Sequence, residues 1–115
     1  MTTQQLGNAA EQLALEYLIE QGLSLIEKNF CCKLGEIDII MQDGNTLVFV
    51  EVRLRNNVLY GTGAETVTHS KMRKIIKTAQ VYLLKHPLAE NLGCRFDVIS
   101  MNEKLTWIKN AFTLD

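Results

Sequence analysis

Glu36-Ile37-Asp38-Ile39-Ile40-Met41, Gln42-Asp43-Gly44-Asn45 and Thr46-Leu47-Val48-Phe49-Val50-Glu51-Val52-Arg53 follow one another as two apolar runs with a turn between them. The two runs are rich in β-branched and aromatic residues and read as strands over 36–41 and 46–53. The Asp43-Gly44 pair between them is a hairpin signal. Side chains alternate along a strand, so Glu36 and Asp38 share one face of theirs, and Glu51 and Arg53 share one face of theirs. The turn decides whether the two sets meet. With Asp43 and Gly44 as its central residues, Gln42 pairs with Asn45, Asp38 stands opposite Phe49 and Glu36 opposite Glu51. Asp38 and Glu51 are then diagonal neighbours, with Cβ atoms at most ~7–8 Å apart. A four-residue loop sets Asp38 directly opposite Glu51; a three-residue loop puts them on opposite faces and destroys any shared site.

Glu51 lies in a strand apolar enough to be buried on both faces, and a buried Glu needs a reason. Three carboxylates gathered on a half-buried surface are costly unless a cation neutralises them. Mg²⁺ or Mn²⁺ is the cofactor this pattern implies, because such ions take oxygen donors from one or two carboxylates plus water and phosphate. Arg53 follows on the same face and offers a fork of donors to a phosphate. Taken singly, Glu36-x-Asp38 and Glu51-x-Arg53 are short patterns that solvated surface residues also make.

Upstream, residues 3–21 read as a helix with Leu6, Ala10, Leu13, Ala14 and Tyr17 on one face and Gly22 as its stop. Glu11 lies well away from the polar wedge of Gln5, Gln12 and Glu16, toward Ala14, Leu15 and Leu18, where it can join the carboxylates. Residues 23–31 read as a strand. Downstream comes a loop over 54–67 holding Tyr60-Gly61-Thr62-Gly63, too isolated a Gly-x-Gly to indicate a dinucleotide fold. A second helix is expected over 69–86, capped by Thr68 or Ser70 and followed by Pro87, with strands over 94–101 and 105–112. The order α-β-β-β-α-β-β predicts an α/β domain: a mixed central sheet of about five strands flanked by helices. On the second helix, Met72, Ile75, Ile76, Ala79 and Leu83 take the core face, which leaves Lys71, Arg73, Lys74 and Lys77 as an exposed basic track. Arg55 extends that track toward the carboxylates. A solvated helix face is the ordinary reading of such a run. Asp97 is expected to pair structurally with Arg95, and Trp107 to be core.

The 115 residues suit one domain over 1–115, and 47% apolar content supports one core. No apolar run reaches the ~18 residues of a membrane helix. Met1–Gln5 lacks the basic-then-apolar pattern of a signal peptide, and Cys31, Cys32 and Cys94 form neither a disulfide framework nor a zinc spacing. A cytoplasmic location follows as an expectation. The formal net charge of −1 argues against a general nucleic-acid coat and makes the distribution of charge more informative than its sum.

Gly7-Asn8-Ala9-Ala10-Glu11, Lys28-Asn29-Phe30, Gly35–Ile40, Val48–Arg53, Ser70-Lys71-Met72-Arg73-Lys74 and Arg95-Phe96-Asp97-Val98 together resemble the YraN-like family of small bacterial proteins. That family is similar in fold to Holliday-junction resolvases of the PD-(D/E)xK nuclease superfamily. The resemblance implies a restriction-endonuclease-like fold, with Asp38 and Glu51 as metal ligands and Glu11 as a further acidic ligand. It implies a metal-dependent endonuclease acting on phosphodiester bonds, of DNA rather than RNA, with branched, Holliday-junction-like DNA as the substrate class. Glu36 supports the ligands from outside them or, from its expected place opposite Glu51, joins them, and the Val52 carbonyl is a further donor. Arg53 stands where the superfamily has lysine. It can hold phosphate and stabilise developing charge but cannot give up a proton. Two symmetric cuts imply a homodimer, and so small a domain implies a further protein partner. The alternative is a nuclease fold without catalysis that binds nucleic acid.

Overall fold

In the computed structural model, which describes residues 2–54 and 68–113 apart from the Glu90 side chain, the first helix (α1) spans Thr3–Glu20. Thr2 closes a capping box: its hydroxyl accepts the Gln5 N–H at 3.1 Å, while the Gln5 side chain accepts the Thr2 N–H at 2.8 Å. The helix buries Ala10, Ala14, Leu15 and Leu18. Leu6 and Leu13, expected on the core face, are instead 40% and 57% exposed. The buried stripe is centred on the Ala10–Ala14–Leu18 row, where two small side chains let the helix lie close to the sheet.

The strands are β1 (Ser24–Cys32), β2 (Gly35–Asp43), β3 (Thr46–Leu54), β4 (Gly93–Met101) and β5 (Leu105–Phe112). The second helix (α2, His69–Lys85) and a 3-10 turn (Pro87–Asn91) lie between β3 and β4. The element order is α-β-β-β-α-β-β, as the patterning predicts, and the five strands form one sheet in the order β1-β2-β3-β4-β5. Only β3 and β4 are parallel among these neighbours, and a parallel pair requires a crossover, which α2 occupies. This mixed sheet flanked by two helices is consistent with an α/β nuclease-like fold. Arg55 and the Gly-x-Gly loop fall outside the described residues.

The two sheet faces carry separate cores. Ile39, Met41, Val48, Val50 and Ile99 pack with α1; Phe30, Ile40, Leu47, Phe49 and Phe96 pack with Ile75, Ala79 and Tyr82 of α2. Tyr82 is thus a core residue, edge-on to Phe30 and Phe49. Met72, Ile76 and Leu83 are only partly buried, because Thr78 and Tyr82 share the inner face of α2. Both edge strands are irregular. β1 carries Asn29 at φ 54° and a register shift between Leu25 and Glu27; β5 carries Asn110 at φ 52° opposite a shift between Phe96 and Val98. Such bulges discourage sheet extension by a neighbouring chain.

Asp97 is fully buried and structural. Its carboxylate accepts from Arg95 Nε at 3.1 Å, from the Trp107 indole N–H at 2.9 Å and from the Asn110 N–H at 2.9 Å. Arg95 also reaches Asp43 at 3.0 Å and so ties the β2–β3 turn to β4. Asp97→Asn keeps one accepting oxygen, turns an NH2 toward a donor that the other oxygen served, and loses the charge that Arg95 needs. It is expected to cost about 2 kcal/mol in urea unfolding, with an unchanged m-value.

Candidate active site

The β2–β3 hairpin closes with Asp43 opposite Thr46 and Gln42 opposite Leu47, so the central turn residues are Gly44-Asn45, not Asp43-Gly44. Gly44 takes φ 60° at the first central position, the place glycine takes in a type II′ turn. The shift moves every pair: Ile39 faces Val50, and the same register carried one step further sets Asp38 opposite Glu51. Glu36 therefore does not face Glu51. It pairs instead with Cys31 of β1 and is exposed on the rim, where it accepts from the Cys31 thiol at 3.5 Å.

At Asp38 the strands part. The β2–β3 ladder ends at Ile39–Val50, while β3 continues beside β4 as far as Leu54–Met101. Strict alternation breaks here, because Ile37 joins Ile40 on the α2 side while Ile39 faces α1. The Val52 N–H, which a continued ladder would give to Ile37, donates to Asp38 Oδ2 at 2.8 Å. A backbone donor thus orients one carboxylate where the sheet opens, and leaves the two acids adjacent and poorly solvated. Asp38 is 8% exposed, and the Glu51 side chain 10%.

Burial pushes the Glu51 carboxyl up to about 8, helped by its hydrogen bond to Asp38 and by the Asp38 charge, against the pull of Lys71 and Arg53. Lys71, in the first turn of α2, holds its Nζ 3.6 Å from Glu51 Oε2. Gly35 lets the helix come so near: at φ 154° it faces Thr78, whose Oγ1 would lie 3.2 Å from an added Cβ. Lys74 lines the same small cleft of about 130 Å³ with Asp38 and Glu51. Arg73 and Lys77 are exposed further round the helix. Glu11 starts the row continued by Leu15 and Leu18. Its carboxyl is raised by burial first and then by the charges of Asp38 and Glu36, with Lys28 and Asn29 opposing.

The structure thus brings Asp38, Glu51 and Lys71 together, with Arg53 on the same strand face and Glu11 within electrostatic reach. Among the described residues, no three His, Cys, Asp or Glu side chains form a ready metal cage. Two carboxylates are still the number Mg²⁺ takes from protein when water and substrate phosphate complete its shell. The buried pair of acids also has the electrostatic demand for a cation. The residues fit the ion on those terms. A larger cavity, about 430 Å³, lies between α1 and the β4–β5 turn. Among the described residues it gathers Glu16, Glu20 and Glu103 with one lysine, Lys104, and so offers an anionic substrate little.

The basic run of α2 reads from sequence as a solvent-facing track, and nothing in it marks Lys71 as the residue that turns inward. The amides of Gln4, Asn8 and Asn29, which border Glu11 and Glu36 in a second cleft, carry no sequence signal beyond their place in the family-like stretches.

A model of the uncharacterised protein family UPF0102 matches residues 10–101. A UPF0102 protein of Legionella pneumophila is 50% identical over 113 residues, covering 96% of both chains. One from Vibrio campbellii is 47% identical over 113 residues, covering 95% of this chain and 93% of the relative. One from a Janthinobacterium species is 49% identical over 106 residues, covering 91% and 85%.

Proposed function

The chain belongs to the UPF0102 family, whose YraN-like members the sequence resembles, and we propose that it is a Mg²⁺- or Mn²⁺-dependent nuclease that hydrolyses DNA phosphodiester bonds, branched DNA above all. The observation that carries this reading is the buried Asp38–Glu51 pair at the parting of β2 and β3, with Lys71 against it. No helix among the described residues is long and apolar enough to cross a membrane. The free thiols of Cys31, Cys32 and Cys94 suit a reducing compartment, and we assign the protein to the cytoplasm.

A bound divalent ion supplies Lewis acidity toward the phosphate and a lowered pKa for water. The chain's residues do the rest. Asp38, oriented by the Val52 N–H, and Glu51, once it has lost its proton, hold the ion. Lys71 and Arg53 bring positive charge to the phosphate as it gains negative charge in the transition state. Lys71 contributes the ammonium that Arg53, in the motif position, does not. Glu11, with its raised proton affinity, accepts a proton at the α1 side of the pair. Arg73, Lys74 and Lys77 hold the backbone beyond the cleft, an electrostatic contribution that weakens with salt.

Incubation of the protein with four-way, nicked and linear duplex DNA tests the reading. Cleavage is expected with Mg²⁺ or Mn²⁺, fastest on branched DNA, and absent in chelator and in Asp38→Asn. Lys71→Ala should slow single-turnover cleavage ~100-fold, and Lys71→Arg less. A second reading, a nucleic-acid-binding module without catalysis, draws on the absence of a three-ligand cage among the described residues. DNA binding with no cleavage under any divalent ion would favour it.

A further inference from the structure

We propose that the polar cleft on the α1 side of Glu36 receives the base of an unpaired nucleotide, while the Lys71–Lys74 side of the same residue receives its phosphate; the proposal rests on the nuclease reading above. Glu36 lines two clefts. One is the cleft with Asp38, Glu51, Lys71 and Lys74. The other, about 390 Å³, is lined by Gln4, Gly7, Asn8, Glu11 and Asn29 besides Glu36. The chemistry of the two differs in kind.

Among the described residues, the second cleft has no lysine or arginine in its lining. Lys28, whose charge reaches Glu11, donates instead to the Gln12 side chain at 3.3 Å. Two carboxylates without a cation repel a phosphate. Three primary amides do the opposite for a neutral, hydrogen-bonding group. Each offers donors and an acceptor side by side, the pattern that base edges complement. The volume lies within the range of small-ligand pockets, ~300–1,000 Å³, and is ample for a base. A base inside a duplex is stacked and paired and cannot enter, so the occupant is an unpaired one.

The backbone around the cleft supports this. Asn29 holds a left-handed conformation, φ 54°, within an edge strand. Asparagine is among the few residues that tolerate such a φ. Gly7 stands inside α1, where glycine is the poorest helix former except proline. Packing does not demand it: a Cβ at Gly7 would meet no atom within 4 Å. Gly7 lines the cleft, and a larger side chain there would have open space to enter.

The test measures binding by fluorescence anisotropy, in Ca²⁺ buffer, of a nicked duplex with a short unpaired flap and of the same duplex with an abasic flap. Wild type should bind the base-bearing flap ~10-fold more tightly, the scale of one stacked or hydrogen-bonded base. Gly7→Leu should lose that preference, bind the abasic flap as wild type does, and melt no lower than wild type. Asn8→Ala, an exposed change, should reduce the preference should Gly7→Leu fail to fold. Lys71→Ala should weaken both DNAs equally. Equal wild-type affinity for the two flaps, or a preference that survives both Gly7→Leu and Asn8→Ala, would overturn the base site and leave the nuclease reading standing. Binding of neither DNA would overturn both.

Discussion

Glu51→Gln is expected to raise the melting temperature of the metal-free protein at pH 9 by on the order of 10 °C, and to leave it nearly unchanged at pH 4. The effect follows from the Glu51 carboxyl, pushed up to about 8 in the fold by burial and by Asp38. In the unfolded chain the same group titrates near ~4.3. Below that pH it is protonated in both states, and Gln resembles it. Between the two values the folded protein holds a proton that the unfolded chain has lost, so wild-type stability falls as pH rises. Above about 8 both states are ionised and the full cost of a buried, poorly neutralised charge is present. The difference corresponds to several kcal/mol. Part is lost because the Gln amide must find partners, which leaves a gain of about 3 kcal/mol. Parallel melting curves of wild type and variant across this pH range check it. A variant that melts lower than wild type at pH 9 contradicts it.

Asp38→Asn is expected to lower divalent-metal affinity at least ~100-fold, since even residues that only orient ligands cost 10–100-fold when changed. DNA cleavage should fall by ~1,000-fold or more, because the metal-held charge stabilisation goes with it. The substitution is informative because Asn still offers an oxygen to the Val52 N–H, which Asp38 accepts at 2.8 Å. The parting of β2 and β3 is therefore kept and only the negative charge is removed. The Glu51 carboxyl should titrate lower in this variant, because both the hydrogen bond and the charge that raise it come from Asp38. Metal titration, single-turnover cleavage and near-UV circular dichroism together separate a lost ligand from a lost fold. Retained metal affinity in a folded Asp38→Asn protein would remove Asp38 from the site.

The order of elements was legible because each signal is local: period-two apolar runs, the Gly44 turn and the Pro87 stop. The register was not. Asp43-Gly44 and Gly44-Asn45 are both good turn pairs, and the choice moves Asp38 by two places, from opposite Phe49 to opposite Glu51. Both registers keep the two acids on one face, which is why the pair survives the correction and the partner of Glu36 does not. The rotation of α1 is not legible in the sequence, because Leu6 and Leu13 are more apolar than Ala10 and Ala14. Close approach to the sheet favours the small side chains. Lys71 shows the limit of helical periodicity. A lysine on a basic face is drawn to Glu51 by a carboxylate many residues away in sequence, and only the packing of α2 over Gly35 reveals it.

Isothermal titration of Mg²⁺ and Mn²⁺ into the protein from pH 6.5 to 8.5, in buffers of different ionisation enthalpy, tests whether Asp38 and Glu51 hold a divalent ion. Binding is expected to tighten up to ~10-fold per pH unit below about 8, with release of one proton as Glu51 gives up its own, and to be lost in Asp38→Asn and Glu51→Gln. Failure of the wild-type protein to bind either ion at any of these pH values, with or without branched DNA present, would contradict it.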